Sequence, residues 1–322
     1  MSLKRLLLCS VASLLIAPAA YLHAQGYPRG PINLIIPLAP GDAADIGARM
    51  MADELSRLLK VPVIPVNRPG AGGVVGNDYV VKAAKDGQTI LFTVSASLTF
   101  RRVLEPDTVS YDPLKDFTPL GMATRSPSIV AVRADAPFKN FAEMVEFAKK
   151  NPGKVSIGTV GVGSAGDFSV RIMNSLTGSD MIMVPFKGGA PAVTALKGAH
   201  IEGVALALGA LSGELKSGAM RGIIFSSKFP EFPNVPTLTE LGYKQNIFGV
   251  WFAFFAPAGV PADVTRVLVP AIEKVAKDPA IGSKLLPLGI AAEYQPPEKV
   301  LAEIRDETRT VEAIAKKAGL VK

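Results

Sequence analysis

Residues 37 to 48 read Pro37-Leu38-Ala39-Pro40-Gly41-Asp42-Ala43-Ala44-Asp45-Ile46-Gly47-Ala48. They follow the β-branched run Ile32 to Ile36 and open a helical pattern that continues to about Leu59. This order predicts a strand, a tight loop and a helix N-terminus, where unpaired backbone N–H groups lie at the positive end of the peptide dipoles. A loop of small residues in front of such groups can receive an anion.

The same pattern returns in the second half of the chain. Residues 155–160 read as another short strand, and Gly163-Ser164-Ala165-Gly166-Asp167-Phe168 aligns with Gly41-Asp42-Ala43-Ala44-Asp45-Ile46. Two helix starts from two halves of one chain predict a small acidic ligand held between them.

The N-terminus has the features of a cleavable secretory signal over residues 1–24. Lys4 and Arg5 precede an apolar run that is too short to span a bilayer comfortably, and Leu22-His23-Ala24 is suited to cleavage before Gln25. Cys9, the single cysteine, lies inside that segment. The mature chain is therefore predicted to contain no disulfide, thiolate nucleophile or cysteine metal site.

Charge and composition limit the classes of partner. The formal net charge of +7 becomes +5 once Lys4 and Arg5 are removed, and aromatic residues make up 7% of the chain. Basic residues are scattered and are not interleaved with stacking residues, so nucleic-acid binding is not expected.

Strand patterns alternate with amphipathic helix patterns, which predicts parallel α/β layers. In such sheets ligands bind beyond the carboxyl ends of the strands. The segment Ser95-Ala96-Ser97 follows the predicted strand Thr89 to Val94 and is a second candidate for the pocket wall. After a strand over residues 251–256, the rest of the chain is helical in pattern.

The chain length allows two medium domains, each with its own core. Between Phe229 and Pro236 the sequence has three prolines and little periodicity, which indicates a crossing between domains. We predict a discontinuous first domain, residues 25–123 and 229–322, that encloses an inserted second domain, residues 124–228.

Residues 161–166 satisfy the Gly-x-Gly-x-x-Gly dinucleotide pattern between a strand and a helix. The acidic residue expected at the end of the next strand is missing, because Phe186 and Lys187 follow Pro185. A pocket for a smaller anion and a purely structural tight turn are the alternatives that remain.

Catalytic chemistry finds little support. Ser164 is not in a Gly-x-Ser-x-Gly motif, because position 162 is valine, and His200 is the one histidine after the signal segment. No metal-ligand cluster is present in the sequence, and Asp42 and Asp45 are expected to cap their helix, with ligand contact as a second role. We predict no enzyme, no cofactor and no metal.

Several motifs occur together and in order along nearly the whole mature chain. They resemble those of the substrate-binding proteins of tripartite tricarboxylate transporters, the Bug family. The motifs are the loop Pro37 to Asp45, Asn67-Arg68-Pro69-Gly70-Ala71-Gly72-Gly73, Asp86-Gly87-Gln88-Thr89, Tyr111-Asp112-Pro113-Leu114-Lys115-Asp116-Phe117, Val184-Pro185-Phe186-Lys187-Gly188-Gly189-Ala190-Pro191 and Trp251 to Gly259.

The resemblance implies a two-domain periplasmic-binding-protein-like fold of two α/β domains that closes by a hinge on a small carboxylic acid. It also implies a periplasmic monomer that delivers this ligand to membrane permease subunits. The residues of this chain that match the ligand-binding loops are Leu38, Ala39, Gly41, Asp42, Ala43, Asp45, Ser95, Ser97, Gly163, Ser164, Ala165, Asp167, Lys187, Gly188, Gly189, Ala207 and Leu208.

The sequence departs from the family pattern in two places. Asp42 stands where the family usually has glycine, and Leu206-Ala207-Leu208-Gly209 lacks the usual polar group. Because two anions at one helix end repel, we expect Asp42 to cap its helix or to meet a hydroxyl or amine of the ligand. A monocarboxylate seated near Ser164, with an apolar or aromatic body, is the predicted ligand.

Two other functional classes stay open from the sequence. One is a secreted hydrolase or isomerase acting on a small organic acid, and the other is a ligand-sensing module for a membrane sensor. The first requires a polar catalytic cluster in the cleft, whereas the second needs the same closing cleft as a transport receptor.

Overall fold

The structure of the protein is a computed structural model that describes residues 26–321, so the predicted signal segment lies outside the described residues. Its strands are β1 Ile32–Ile36, β2 Val63–Asn67, β3 Thr89–Val94, β4 Phe117–Ser126, β5 Ser128–Arg133, β6 Ser156–Thr159, β7 Ile182–Pro185, β8 Gly203–Ala207, β9 Met220–Phe225, β10 Val250–Pro257 and β11 Ala291–Gln295. Its helices are α1 Ala43–Leu59, α2 Val74–Val81, α3 Ser95–Leu98, α4 Phe100–Leu104, α5 Phe141–Lys150, α6 Ala165–Thr177, α7 Gly189–Lys197, α8 Ser212–Lys216, α9 Ala262–Ala276, α10 Pro279–Leu285 and α11 Pro297–Lys317.

The first domain is built on a six-stranded sheet with the order β11-β4-β10-β3-β1-β2. Strands β1, β2 and β3 are parallel, as the alternating pattern predicts. Strand β10 runs antiparallel to both β3 and β4, so this sheet is mixed and the predicted parallel arrangement holds for β1, β2 and β3. The reason is that β10 re-enters this sheet from the second domain and fills the gap between β3 and β4, where its side chains are fully buried.

Strand β11 pairs with β4 at the edge of the first sheet. The sequence pattern predicts only helices in this part of the chain, so β11 differs from that prediction. Its residues are all half-buried and its pairing with β4 is irregular, so no alternation of buried and exposed side chains marks it.

The second domain is built on a five-stranded sheet with the order β7-β6-β8-β5-β9. Strands β6, β7 and β8 are parallel, and β5 lies antiparallel between β8 and β9. Both domains therefore carry a parallel portion, and β1 and β6, which precede the two glycine loops of the sequence, lie in these portions.

The chain crosses between the sheets twice. It leaves the first sheet at the end of β4, Ser126, and returns to it at the start of β10, Val250. Part of the segment 229–249, assigned from the sequence to the first domain, contacts the second: Thr237 pairs with Phe225 of β9, and the ring of Tyr243 lies 5.5 Å from that of Phe141.

Three phenylalanine rings join the domains behind the cleft. Phe100 of α4 lies edge-on to Phe168 of α6 at 5.2 Å and to Phe248 at 5.3 Å, and Phe168 lies 5.8 Å from Phe248. Each ring belongs to a different part of the chain, so the cluster holds α4, α6 and the return crossing together. Edge-to-face pairs of this kind stabilise packing beyond their buried area.

A buried polar network fixes the segment between β3 and α4. Asn77 donates to the hydroxyls of Ser97 and Tyr111, at 2.8 Å each, and accepts from Thr93 Oγ1 at 2.8 Å. The Tyr111 hydroxyl donates to the Ser97 carbonyl. Because every group of the network lies out of water, its hydrogen bonds determine how α2, β3 and α3 pack.

We expect Asn77→Ala to destabilise the protein by about 3 kcal/mol, because it removes one hydrogen bond from each of three buried hydroxyl groups. Urea unfolding measures this loss. The exposed Asn234, changed to alanine, is the control and should alter the free energy of unfolding by less than about 0.5 kcal/mol. Equal effects of the two changes would contradict the role of the network.

Candidate functional site

The two helices predicted to point at the ligand, α1 and α6, begin with the same arrangement of hydrogen bonds. Asp45 accepts from Gly41 N at 3.0 Å, and Asp167 accepts from Gly163 N at 2.8 Å. Each aspartate also pairs with an arginine one turn on, Arg49 or Arg171, at 2.9 Å. Both aspartates are thus capping residues that reach back to the loop in front of their helix.

Asp45 is held as a carboxylate. Its burial acts to raise its pKa, but hydrogen bonds from Arg49, Gly41 and Asn67 outweigh the burial and lower the pKa below its ordinary value. A charge of this sign next to the helix N-terminus is stabilised by the helix dipole. Asp45 therefore secures the first loop rather than lining the space between the domains.

The two helices differ at the N-cap itself. Asp42 caps α1 by accepting from Ala44 N at 3.0 Å, and Ser164 caps α6 by accepting from Asp167 N at 3.2 Å. Both side chains are almost fully buried, at 3% and 2% exposure. One helix end therefore carries a buried carboxylate, and the other carries a neutral hydroxyl.

The second carboxylate oxygen of Asp42 crosses the cleft. It accepts from Gly189 N at 3.1 Å, at the start of α7 in the second domain. Burial raises the pKa of Asp42 to about 6, although its hydrogen bonds from Ala44 and Gly189 act to lower it. The unfavourable free energy of removing the carboxylate from water therefore exceeds the stabilisation that these two N–H groups provide.

A cavity lies between α1 and α6, with a free volume of ≈ 30 Å³. That is the space of about two water molecules, so any larger ligand has to enter while the domains are apart. Five predicted site residues line it: Leu38, Asp42, Ser164, Ala165 and Ala207. The other lining residues, most of them apolar, are Gly72, Val94, Ala96, Ser128, Val160, Gly166, Ala205, Leu206, Val250 and Phe252.

The predicted residues outside the lining have structural contacts of their own. The Ser97 hydroxyl belongs to the Asn77 network, and Ser95 Oγ accepts from Trp251 N at 3.5 Å, so Ala96 between them is the residue that lines the cavity. Lys187 is exposed and Leu208 is buried. The remaining residues of this group, Ala39, Gly41, Ala43, Asp45, Gly163, Asp167, Gly188 and Gly189, belong to the loops and helix starts around the cavity.

A second side chain that crosses the cleft, Arg101, is not among the site residues that the sequence predicts. Arg101, on α4 of the first domain, donates through Nη1 to the Val162 carbonyl and through Nε to Thr108 Oγ1. Its partner in the second domain is a backbone oxygen, which leaves no signal in the sequence. A β-carbon on Gly163 would lie 2.4 Å from Arg101 Cδ, so glycine is needed there for this contact.

Backbone approaches backbone where the domains meet. A β-carbon on Gly188 would lie 2.6 Å from the Ala39 side chain and 3.0 Å from Ala39 N, and one on Gly161 would lie 3.3 Å from Gly72 N. These glycines belong to the second domain, and their neighbours belong to loops of the first. The small residues of both loops therefore permit the domains to come into contact.

The model of the family described as "Tripartite tricarboxylate transporter family receptor" matches residues 47–320 of the chain. The chain belongs to this family. Its members are periplasmic binding proteins, and the predicted resemblance is confirmed. In the described residues we find no helix with the length and apolar character needed to cross a membrane.

Three relatives place the chain within the family. Protein BugT of Bordetella pertussis is 30% identical over 325 residues, which cover 99% of each chain. The structure of the periplasmic binding protein BugD matches with a TM-score of 0.86 and 29% identity over 92% of this chain and all of BugD. The structure of R. palustris Rpa4515 with adipate matches with a TM-score of 0.86 and 26% identity, over 91% and 98% of the two chains. The two-domain periplasmic-binding-protein fold is thereby confirmed.

We expect Gly188→Ala to weaken ligand binding by about tenfold in this family receptor, because the added methyl group overlaps Ala39 when the domains meet. The backbone of Gly188 is extended, at φ 164°, so alanine causes no strain of its own. Calorimetric titration measures the affinity, and thermal unfolding should change little.

Gly213→Ala is the matched control, since a β-carbon at Gly213 meets no atom within 4 Å. Unchanged affinity in Gly188→Ala would show that ligand binding does not require Gly188 to approach Ala39.

Stability should depend on pH through Asp42. The pKa of Asp42 is about 6 in the folded protein against an ordinary 3.8, so the folded state binds the proton more tightly and loses stability as pH rises through 6. Relative to Asp42→Asn, the wild type should lose about 2 kcal/mol between about pH 4.5 and 7.5. Urea unfolding at both pH values measures the difference, and parallel pH profiles would contradict it.

Proposed function

We propose that this protein is a periplasmic solute receptor that captures a small carboxylic acid between its domains and delivers it to the permease subunits of a tripartite transporter. The observation that carries the proposal is the cavity between α1 and α6, which both domains line. A related family structure contains adipate, a carboxylic acid. Membership of the receptor family supports delivery to a transporter.

The ligand carboxylate binds at the start of α6. Among the described residues, the N–H groups of Ala165 and Gly166 find no acceptor in the protein, and both residues line the cavity. The Ser164 hydroxyl accepts from Asp167 N and keeps its own proton to donate. Backbone N–H groups and a hydroxyl at a helix start form a receptor for an anion.

The start of α1 offers no comparable site for a ligand carboxylate, because the side chain of Asp42 occupies that position. The remaining wall is formed mainly by aliphatic side chains and Phe252. These contacts favour a ligand with one carboxylate near Ser164 and an apolar or aromatic body that carries no second carboxylate, over a compact dicarboxylate.

Catalysis is not supported by the residues that line the cavity. Within the described part of the chain, its polar side chains are those of Asp42, Ser128 and Ser164. His200 is exposed and does not line the cavity, so Ser164 has no histidine there to activate it. The family is one of binding proteins, which agrees with this chemistry.

A thermal-shift screen with small mono- and dicarboxylic acids tests the proposal, since a ligand that binds only the folded form raises its apparent stability. We expect monocarboxylates with apolar bodies to raise the melting temperature more than succinate does. If no carboxylic acid shifts the transition, the proposed function fails.

We expect Ser164→Ala to weaken carboxylate binding by at least about tenfold, because a charge-assisted hydrogen bond is lost. This change also removes a helix cap, at a cost of about 1 kcal/mol. Asn140→Ala, which removes the cap that accepts from Glu143 N at the start of α5, is the matched control and should leave the affinity unchanged. Equal affinities of the two variants would place the ligand carboxylate elsewhere.

A further inference from the structure

Asp42 is the only charged side chain that lines the cavity in the described part of the chain. Its two oxygens accept from Ala44 N and Gly189 N, which are both neutral donors. Each carboxylate oxygen has two lone pairs, so each retains capacity for a further donor. A buried carboxylate with only two neutral partners is short of hydrogen bonds and of compensating charge.

The surroundings of Asp42 supply no cation. Among the described residues, the charged group that acts on it is Asp45, a second carboxylate that itself pairs with Arg49. Lys187, near Gly189 in the sequence, is exposed. Arg101 is engaged with Val162 and Thr108. The missing positive charge can therefore come from the ligand.

The wall that the second domain contributes to the cavity has the reverse character. There the N–H groups of Ala165 and Gly166 stand at the positive end of α6, without an acceptor among the described residues. Most of the other lining side chains are apolar, among them Leu38, Val94 and Phe252. The lining therefore combines an anion site, apolar side chains and a carboxylate, which are the three features that a zwitterion needs.

We propose that the ligand is an amino acid-type solute whose carboxylate binds at the start of α6 while its protonated amine donates to Asp42. This inference rests on the proposed function and specifies its ligand class. An ammonium group would donate to the free lone pairs of Asp42 and would balance its charge. A simple diacid would instead bring a second carboxylate towards Asp42, which it would repel.

Calorimetric titration with matched ligands tests this assignment. The first set is γ-aminobutyrate, α-aminobutyrate, butyrate and succinate, and the second is norleucine, hexanoate and adipate. In at least one set we expect an amine-bearing member to bind at least about tenfold more tightly than the unsubstituted acid, and the diacid to bind most weakly. Within each set the carbon count is constant, so the comparison isolates the effect of the amine.

Asp42→Asn separates charge from shape. Asparagine keeps an oxygen for the Ala44 N–H and is a good N-cap, but it removes the charge that the amine would meet and the oxygen that accepts from Gly189 N. The comparison is therefore made between ligands within the same variant, so that the lost bond affects them all. We expect the preference for the amine to be lost in Asp42→Asn. Asp278→Asn is the matched control, because Asp278 caps α10 by the same bond, to Ala280 N at 2.8 Å, and does not line the cavity.

The remaining outcomes are decisive in different ways. If the unsubstituted acids or the diacids bind as tightly as the amines, or if Asp42→Asn keeps the amine preference, the inference is overturned while the proposed function stands. If no member of either set binds the wild type, the inference is overturned and the proposed carboxylate receptor loses its support with it. Folding of Asp42→Asn is checked independently by its urea unfolding curve.

Discussion

The structure depends on an aspartate that reaches back from the first turn of a helix to the glycine loop in front of it. Asp45 does this at Gly41, and Asp167 does it at Gly163. Each bond ties a loop of small residues to a rigid helix, and a partner arginine neutralises the charge. Loops that consist largely of glycine and alanine lose conformational entropy when they become ordered. The hydrogen bonds from the two aspartates offset part of that loss.

Fixed loops allow the two domains to meet without large side chains between them. Gly188 lies against Ala39, and Gly161 lies against Gly72. A β-carbon on either glycine would be closer to its neighbour than an ordinary van der Waals contact. At these loops two charged side chains of the first domain reach the second: Asp42 accepts from Gly189 N, and Arg101 donates to the Val162 carbonyl. Each of these charged side chains bonds to a backbone group and not to an opposite charge. Domain opening therefore breaks no ion pair at these loops, which is compatible with hinge motion.

Local chemistry explains why some of the site could be predicted and some could not. Asp45, Asp167, Asp42 and Ser164 stand at fixed offsets from a helix start, so their capping bonds follow from sequence spacing. Ser95 and Ser97 were predicted for the pocket wall because they follow a strand, but their segment turns into the short helix α3 and directs Ala96 to the cavity. Arg101 bonds to a backbone oxygen far along the chain, and no residue type marks such a partner.

The two α/β units, the two capped helix starts and the family can all be inferred from the sequence, because each follows from short-range spacing along the chain. The sequence also indicates that Asp42 breaks the symmetry of the two loops. The antiparallel direction of β10 in the first sheet and the hydrogen bond from Gly189 N to the Asp42 carboxylate across the cleft are visible only in the folded chain. Such contacts join residues that are far apart in the chain, and their geometry is set by how the two sheets pack, which no local pattern encodes.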